Sequence, residues 1–346
     1  MRYLSVCSGI EAATVAWGGL GWQPVAFSEI DPFPCAVLTH RHPNVPNWGD
    51  MTKFKEWPNA AIDLMVGGTP CQSFSVAGLR GGLADPRGNL ALTYLAIADR
   101  YRPQWLVFEN VPGLLSADRG EAFGSFLGAL AELGYGFAYR VLDAQHVRTR
   151  DFPRAVPQRR RRLFVVAHIG DWRRAAAVLF DSESLRGNHQ EIVEQGRDDP
   201  DDSDGPGAGC WWDGSDTSQT LDAVLHKKQA LPEKNRFPAV LVPAWQQCDL
   251  CDEYICNLHH EHAFECECPS IDEWVEHDIF PYANTVLRYI TPLEAERLQG
   301  FPDGWTDVPY RGKRAPDSPR YKAIGNSMAV NVMRWIGERI EAVKNS

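Results

Sequence analysis

The sequence predicts an α/β fold: a doubly wound, mostly parallel sheet with a second, smaller domain. Short β-branched or aromatic runs alternate with longer helical stretches from the start to about residue 170. Glycines, carboxylates and one cysteine follow those runs, and in open α/β sheets function collects beyond the carboxyl ends of the strands. After Trp172 the periodicity weakens, and 186–209 is rich in Asp, Gly, Ser and Pro, as an exposed linker would be. A chain of 346 residues, 44% hydrophobic and 23% charged, can hold one large domain and a smaller one. The divisions fall at 1–175, 176–290 and 291–346, the last segment returning to the first domain.

Strands are expected at Tyr3–Val6, Val25–Phe27, Leu64–Val66, Trp105–Phe108 and Leu163–Val166, with helices at Ile10–Gly18, Asn89–Tyr101 and Glu121–Leu133. Gly134 ends the third helix. In the second domain Ala239–Val242 reads as a strand. Helical signals return at Thr291–Leu298, where Thr291 can cap, Pro292 suits the first turn and Glu294 stands three after the cap. A final helix runs from about Met328 to Val343.

The first strand leads into Cys7-Ser8-Gly9-Ile10-Glu11, a tight turn ahead of a helix N-terminus. The second leads into Ser28-Glu29-Ile30-Asp31, with Glu29 twenty residues after Gly9, the spacing of a carboxylate that accepts from ribose hydroxyls. A nucleoside-bearing cofactor follows. Glu11 and Ala12 stand where a dinucleotide fingerprint would have further glycines, which disfavours nicotinamide cofactors and suits S-adenosylmethionine, a nucleoside without phosphate. Asp50 is a candidate acceptor for an adenine amino group, with a plain exposed loop carboxylate as the alternative. The third strand leads into Gly67-Gly68-Thr69-Pro70-Cys71-Gln72, where glycines and proline shape the backbone around a candidate nucleophile. Glu109-Asn110-Val111 follows the fourth, with Glu109 able to pair with a base edge or carry a proton.

The Pro70-Cys71-Gln72 loop and the Glu109-Asn110-Val111 turn, in this order, resemble the cytosine-5 DNA methyltransferase family. Gln158-Arg159-Arg160-Arg161-Arg162 resembles that family's arginine motif. Thr291–Pro302 and Ala323-Ile324-Gly325-Asn326-Ser327 resemble its two C-terminal motifs. The resemblance implies a Rossmann-like methyltransferase domain with a target-recognition domain across the divergent stretch 186–285. It also implies methyl transfer from S-adenosylmethionine to carbon 5 of a flipped-out cytosine. By resemblance Cys71 adds to carbon 6, Glu109 holds ring nitrogen 3, and Arg160 and Arg162 support Cys71, the base and phosphate. The cofactor would meet Gly9, Ile10, Glu29, Ile30, Asp50, Met51, Pro70, Leu90, Asn326 and Ser327. Cys7 departs from the family, which has an aromatic there, and Glu11 and Ala12 depart from its glycines. The stretch Val147–Ala155 lengthens the approach to the arginine motif and adds basic residues.

A net charge of −10 opposes phosphate binding unless positive charge is concentrated, as it is at Arg148, Arg150, Arg154 and Arg159–Arg162. Cys248, Cys251, Cys256, His259, His260, His262, Cys266 and Cys268 crowd into one segment, and Cys256, His259, Cys266 and Cys268 are the chosen ligands of a structural zinc ion. Free thiols and surface histidines are the plain alternative. The expected partner is double-stranded DNA, with a cognate restriction enzyme as a further one and the protein acting as a monomer. Without a secretory or membrane-spanning stretch the expected location is the cytoplasm. Cytosine-5 methylation of RNA, and DNA binding without turnover, are the competing functions. A nicotinamide oxidoreductase is a remote third.

Overall fold

The computed structural model describes residues 1–70, 90–180, 239–243, 245–247, 254–256, 261–262 and 285–345. Strands β1 (Arg2–Val6), β2 (Gln23–Ser28), β3 (Leu64–Gly67), β4 (Trp105–Asn110), β5 (Tyr135–Asp143) and β6 (Arg161–Ile169) form one sheet in the order β2-β1-β3-β4-β6-β5. β1 pairs in parallel with β2 and β3, and β3 with β4, while β6 runs antiparallel to β4 and β5. The strand order reverses between β1 and β3, so the crevice beyond their carboxyl ends is where an open α/β sheet binds ligands.

Helices α1 (Ala12–Trp17), α2 (Pro32–Arg41), α3 (Leu90–Tyr101), α4 (Glu121–Glu132), α5 (Trp172–Leu179), α6 (Pro292–Gln299), α7 (Asp317–Asn326) and α8 (Val330–Lys344) accompany the sheet. The central strands are buried on both faces, which is why they read as near-continuous apolar runs. On one face Leu4, Met65, Leu106, Phe108 and Leu163 pack with Leu92 and Leu95 of α3 and Phe123 and Phe126 of α4. On the other, Tyr3 meets Trp17 of α1 edge-on at 5.2 Å, and Trp17 Nε1 donates to the Met333 carbonyl of α8 at 2.7 Å.

The strands extend past their expected bounds. β4 runs to Asn110, so Glu109 lies within the strand rather than after it. Among the elements without a counterpart in the sequence reading are α2, β5, α5 and α7. α2 opens on Pro32-Phe33-Pro34, where missing N–H groups cost nothing, and Asp31 Oδ1 accepts from Phe33 N at 3.3 Å. α5 is capped by Asp171, whose Oδ1 accepts from Arg173 N at 2.9 Å.

A second compact unit contains β7 (Ala239–Pro243), β8 (Trp245–Gln247), β9 (Tyr254–Cys256), β10 (Glu261–His262) and β11 (Thr285–Tyr289). β7 pairs antiparallel with β11, and β10-β9-β8 form an antiparallel sheet. The first unit also holds the short hairpin of β12 (Pro309–Tyr310) and β13 (Lys313–Arg314). No helix among the described residues is long and apolar enough to cross a membrane.

Candidate active site

The turn after β1 is built by two residues with positive φ, Cys7 at 50° and Gly9 at 57°, followed by Glu11 at 65°. Glu11 is fully buried and caps α1: its Oε2 accepts from Thr14 N at 3.1 Å and from the Thr14 hydroxyl, and its Oε1 from the Ser5 hydroxyl. Burial pushes its carboxyl above the ordinary range, against the pull of those bonds. Trp305 Nε1 donates to the Ile10 carbonyl at 2.8 Å and holds the turn from the far end of the chain.

Glu29, just beyond β2, gathers the backbone around itself. Its Oε2 accepts from Gly9 N at 2.7 Å, and its Oε1 from Ile30 N at 2.7 Å and Asp31 N at 2.8 Å. The carboxylate is thereby fixed, with one acceptor site of its roughly four left, on Oε2, for a ligand's hydroxyl. Asp50 Oδ1 accepts from Thr52 N at 2.9 Å and Thr52 Oγ1 at 2.8 Å, capping the short 3-10 turn Met51–Glu56. Cys7 Sγ lies 3.4 Å from Met51 Sδ. Burial first, then the negative charges of Glu29 and Asp50, push the Cys7 thiol up to about 12, so it stays an uncharged wall group.

Beyond β4, Asn110 Nδ2 donates to the Thr69 carbonyl at 2.9 Å, fixing the backbone leading to Pro70 and Cys71. Arg162 Nε stands 3.3 Å from Glu109 Oε1. Burial raises the Glu109 carboxyl above its usual range, with Arg162 and then Arg160 partly opposing it. A carboxyl balanced in this way can be protonated and donate, or ionised and accept. Arg160 is buried, and its Nη2 donates to the carbonyls of Gly325 at 3.0 Å and Ser327 at 2.6 Å. Gln299 Nε2 donates to the Ile324 carbonyl at 3.2 Å and the Ser327 carbonyl at 2.8 Å. These two side chains satisfy the carbonyls that the end of α7 leaves open, and so place Asn326.

The parts enclose one cavity of about 560 Å³. Gly9, Glu29, Ile30, Asp50, Met51, Pro70, Leu90 and Asn326 line it, together with Glu109, Arg160 and Arg162. Ile10 and Ser327 are not among its lining residues: the Ile10 side chain is wholly buried, and Ser327 ends α7 with its carbonyl held by Arg160 and Gln299. Cys71 lies outside the described residues, as do His259, Cys266 and Cys268, while Cys256 ends β9. Among the described residues no group of three or more His, Cys, Asp or Glu is placed to hold a metal. Residues absent from the sequence reading also line the cavity, among them Phe33, Tyr310 and Lys322, whose Nζ pairs with Asp31 Oδ2 at 2.7 Å. Their one signal was nearness to motifs, since nothing in their spacing marks a cavity wall.

A profile of the C-5 cytosine-specific DNA methylase family matches residues 1–342. The chain belongs to that family. A protein of Escherichia phage P1 named DNA N-6-adenine-methyltransferase is 33% identical, over 98% of this chain and 61% of its own length. The type II methyltransferase M2.BsuMI of Bacillus subtilis is 28% identical, over 100% of this chain and 77% of its own length. The chain thus spans about three fifths of the phage protein. The crystal structure of the Schizosaccharomyces pombe Dnmt2 methyltransferase superposes with a TM-score of 0.61 at 15% identity, covering 100% of both chains, a likeness of fold. The mostly parallel sheet and its flanking helices are those of a Rossmann-like methyltransferase.

Proposed function

We propose that this methylase transfers a methyl group from S-adenosylmethionine to carbon 5 of a flipped-out cytosine in double-stranded DNA, with Cys71 as the nucleophile at carbon 6. The observation that carries the reading is the single cavity that joins Glu29 and Asp50, suited to a nucleoside, to the Glu109–Arg162 pair, suited to a base edge. The lining fits the cofactor: fixed carboxylates for ribose hydroxyls and an adenine amino group, apolar Ile30 and Met51, and Pro70 and Leu90, which bracket 71–89 in the sequence. When bound, S-adenosylmethionine supplies an electrophilic methyl group on a sulfonium. The chain's residues must make carbon 5 nucleophilic.

Protonated Glu109 donates to cytosine nitrogen 3 and draws electron density out of the ring, so the Cys71 thiolate forms its bond to carbon 6. The electron pair released toward carbon 5 takes the methyl group, the carbon 5 proton leaves to solvent, and the bond from carbon 6 to sulfur breaks. Flipping the base costs a few kcal/mol of unstacking, which protein contacts offset. The phage P1 relative's name raises adenine as a second substrate. Adenine presents the same donor and acceptor pair to Glu109 but has no oxygen where cytosine has O2, the acceptor for which Arg162, beside Glu109 in the cavity wall, is the proposed donor. Arg162 therefore favours cytosine.

Labelled methyl transfer to duplex DNA, scored for 5-methylcytosine and N6-methyladenine and repeated with transfer RNA, tests the substrate. Cys71→Ala should abolish transfer while cofactor binding persists, and unchanged activity would sink the mechanism. Bisulfite sequencing of DNA from expressing cells gives the target site. The same reading has the protein acting in the cytoplasm as a monomer, with a cognate restriction enzyme as partner. Zinc at Cys256, His259, Cys266 and Cys268 is proposed from residue spacing alone, and a metal analysis of purified protein without stoichiometric zinc would remove it.

A further inference from the structure

We infer that the loop joining β5 to β6, residues 144–160, is a rigid basic clamp for DNA phosphates beside the cavity; this rests on the proposed DNA substrate. β5 leaves the sheet at the carboxyl edge, and antiparallel β6 re-enters there, so the loop stands on the same edge as the ends of β1–β4. It carries Arg148, Arg150, Arg154 and Arg159, all exposed, and leads through exposed Arg161 to Arg162 in the cavity wall. Its one carboxylate, Asp151, pairs with Arg334 of α8 at 2.8 Å, a cation it shares with Glu338. No described carboxylate forms an ion pair with Arg148, Arg150 or Arg154. In a chain of net charge −10 such a concentration of cations at the functional edge fits a polyanion.

The loop is held in shape. Asn331 Nδ2 donates to the carbonyls of Ala144 and Val147, both at 2.8 Å. Thr149 and Phe152 exchange backbone hydrogen bonds, each 3.2 Å. Arg160 anchors the far end on Gly325 and Ser327. Side chains mounted on a fixed loop lose less freedom on binding than those on a mobile tail, and contacts to phosphate set position without reading sequence.

The test is the salt dependence of binding to a fluorescein-labelled duplex of mixed sequence, for the full chain and for the triple variant Arg148→Gln, Arg150→Gln, Arg154→Gln. Each lost phosphate contact should lower the slope of log affinity against log salt by about 0.9, so the triple variant should lose about 2 to 3. The matching Lys variant, which keeps the charge, should regain most of the slope. Cofactor affinity and thermal midpoint should not move, because all three side chains are exposed. An unchanged slope in a variant whose parent binds and methylates DNA overturns the clamp and leaves the substrate reading intact. A lowered slope that the Lys variant fails to restore, or a lowered midpoint in the Lys variant, also overturns it. A parent that binds the cofactor but neither binds nor methylates the duplex overturns the substrate reading itself.

Discussion

At the scale of single residues the site depends on how Glu109 is held. A Cβ added at Gly68 would come within 2.7 Å of the Glu109 carbonyl and 2.9 Å of its Oε2, so only glycine lets the strand before Cys71 pass that close. Gly68→Ala should move the carboxyl by a fraction of an ångström and cut the methyl-transfer rate by up to about a hundredfold, with cofactor affinity retained. Single-turnover rates and calorimetry separate the two. Because burial raises the Glu109 pKa, the protonated form that donates to nitrogen 3 survives at higher pH than an ordinary carboxyl and is lost as pH rises through the raised value. The rate should fall on that limb for the wild type. Glu109→Gln, a permanently neutral donor, should be slower and should lack that limb; an identical pH profile would remove Glu109 as the donor. Glu29, Glu109 and Arg162 stood out in the sequence because each sits in a charged motif bordering an apolar strand. Asn110 lies in the same motif, yet its bond to the Thr69 carbonyl needs coordinates, because a polar residue at a strand end has many possible partners. Ile10 and Ser327 belong to matching motifs but are not among the lining residues, and a motif does not say which atom faces the cavity.

At the scale of elements, legibility followed burial. β1, β3 and β4 are enclosed on both faces and read as apolar runs, while β5 lies at the edge of the sheet and mixes Tyr135 and Leu142 with exposed Tyr139 and partly exposed Arg140. α7 was missed because its support is polar and distant: Arg320 pairs with buried Glu296 of α6 at 3.3 Å and donates to Thr306 Oγ1 at 2.9 Å. The first turn of α1 makes a related point, since Glu11 stands where glycines were expected and caps the helix from a left-handed conformation. Its folded pKa is raised above the reference of 4.5, so the stability it contributes is full below that value and is lost as pH rises through the folded pKa. Glu11→Gln carries no such charge. Relative to that variant, the wild type should therefore be most favoured at about pH 4 and progressively less so as pH rises, as urea midpoints would record. A difference independent of pH would mean that the Glu11 carboxyl titrates in the fold as it does in the unfolded chain, without the upward shift.

For the whole molecule, the cavity is completed by chain ends that meet only after folding. α7 delivers Asn326, and α8 follows and lies along α1 through Trp17, whose Nε1 bonds the Met333 carbonyl, while Trp22 Nε1 donates to Glu341 Oε1 at 2.6 Å. Gly337 is the contact point: a Cβ there would lie 2.5 Å from the Trp17 ring and 2.8 Å from Leu20. Gly337→Ala should therefore cost about 1 to 3 kcal/mol of overpacking in urea unfolding, although glycine-to-alanine changes inside a helix ordinarily stabilise. Because α1 carries the turn with Gly9 and α8 continues from Asn326, a shift between them should also open the cavity and weaken S-adenosylmethionine binding. A ligand that binds only the folded chain stabilises it by about 2.7 kcal/mol at a hundred times its dissociation constant. Saturating cofactor should thus raise the midpoint of wild type and variant alike, with the variant needing more ligand for an equal rise. If Gly337→Ala is destabilised yet binds the cofactor with wild-type affinity, the α1–α8 seam supports the fold without shaping the cavity.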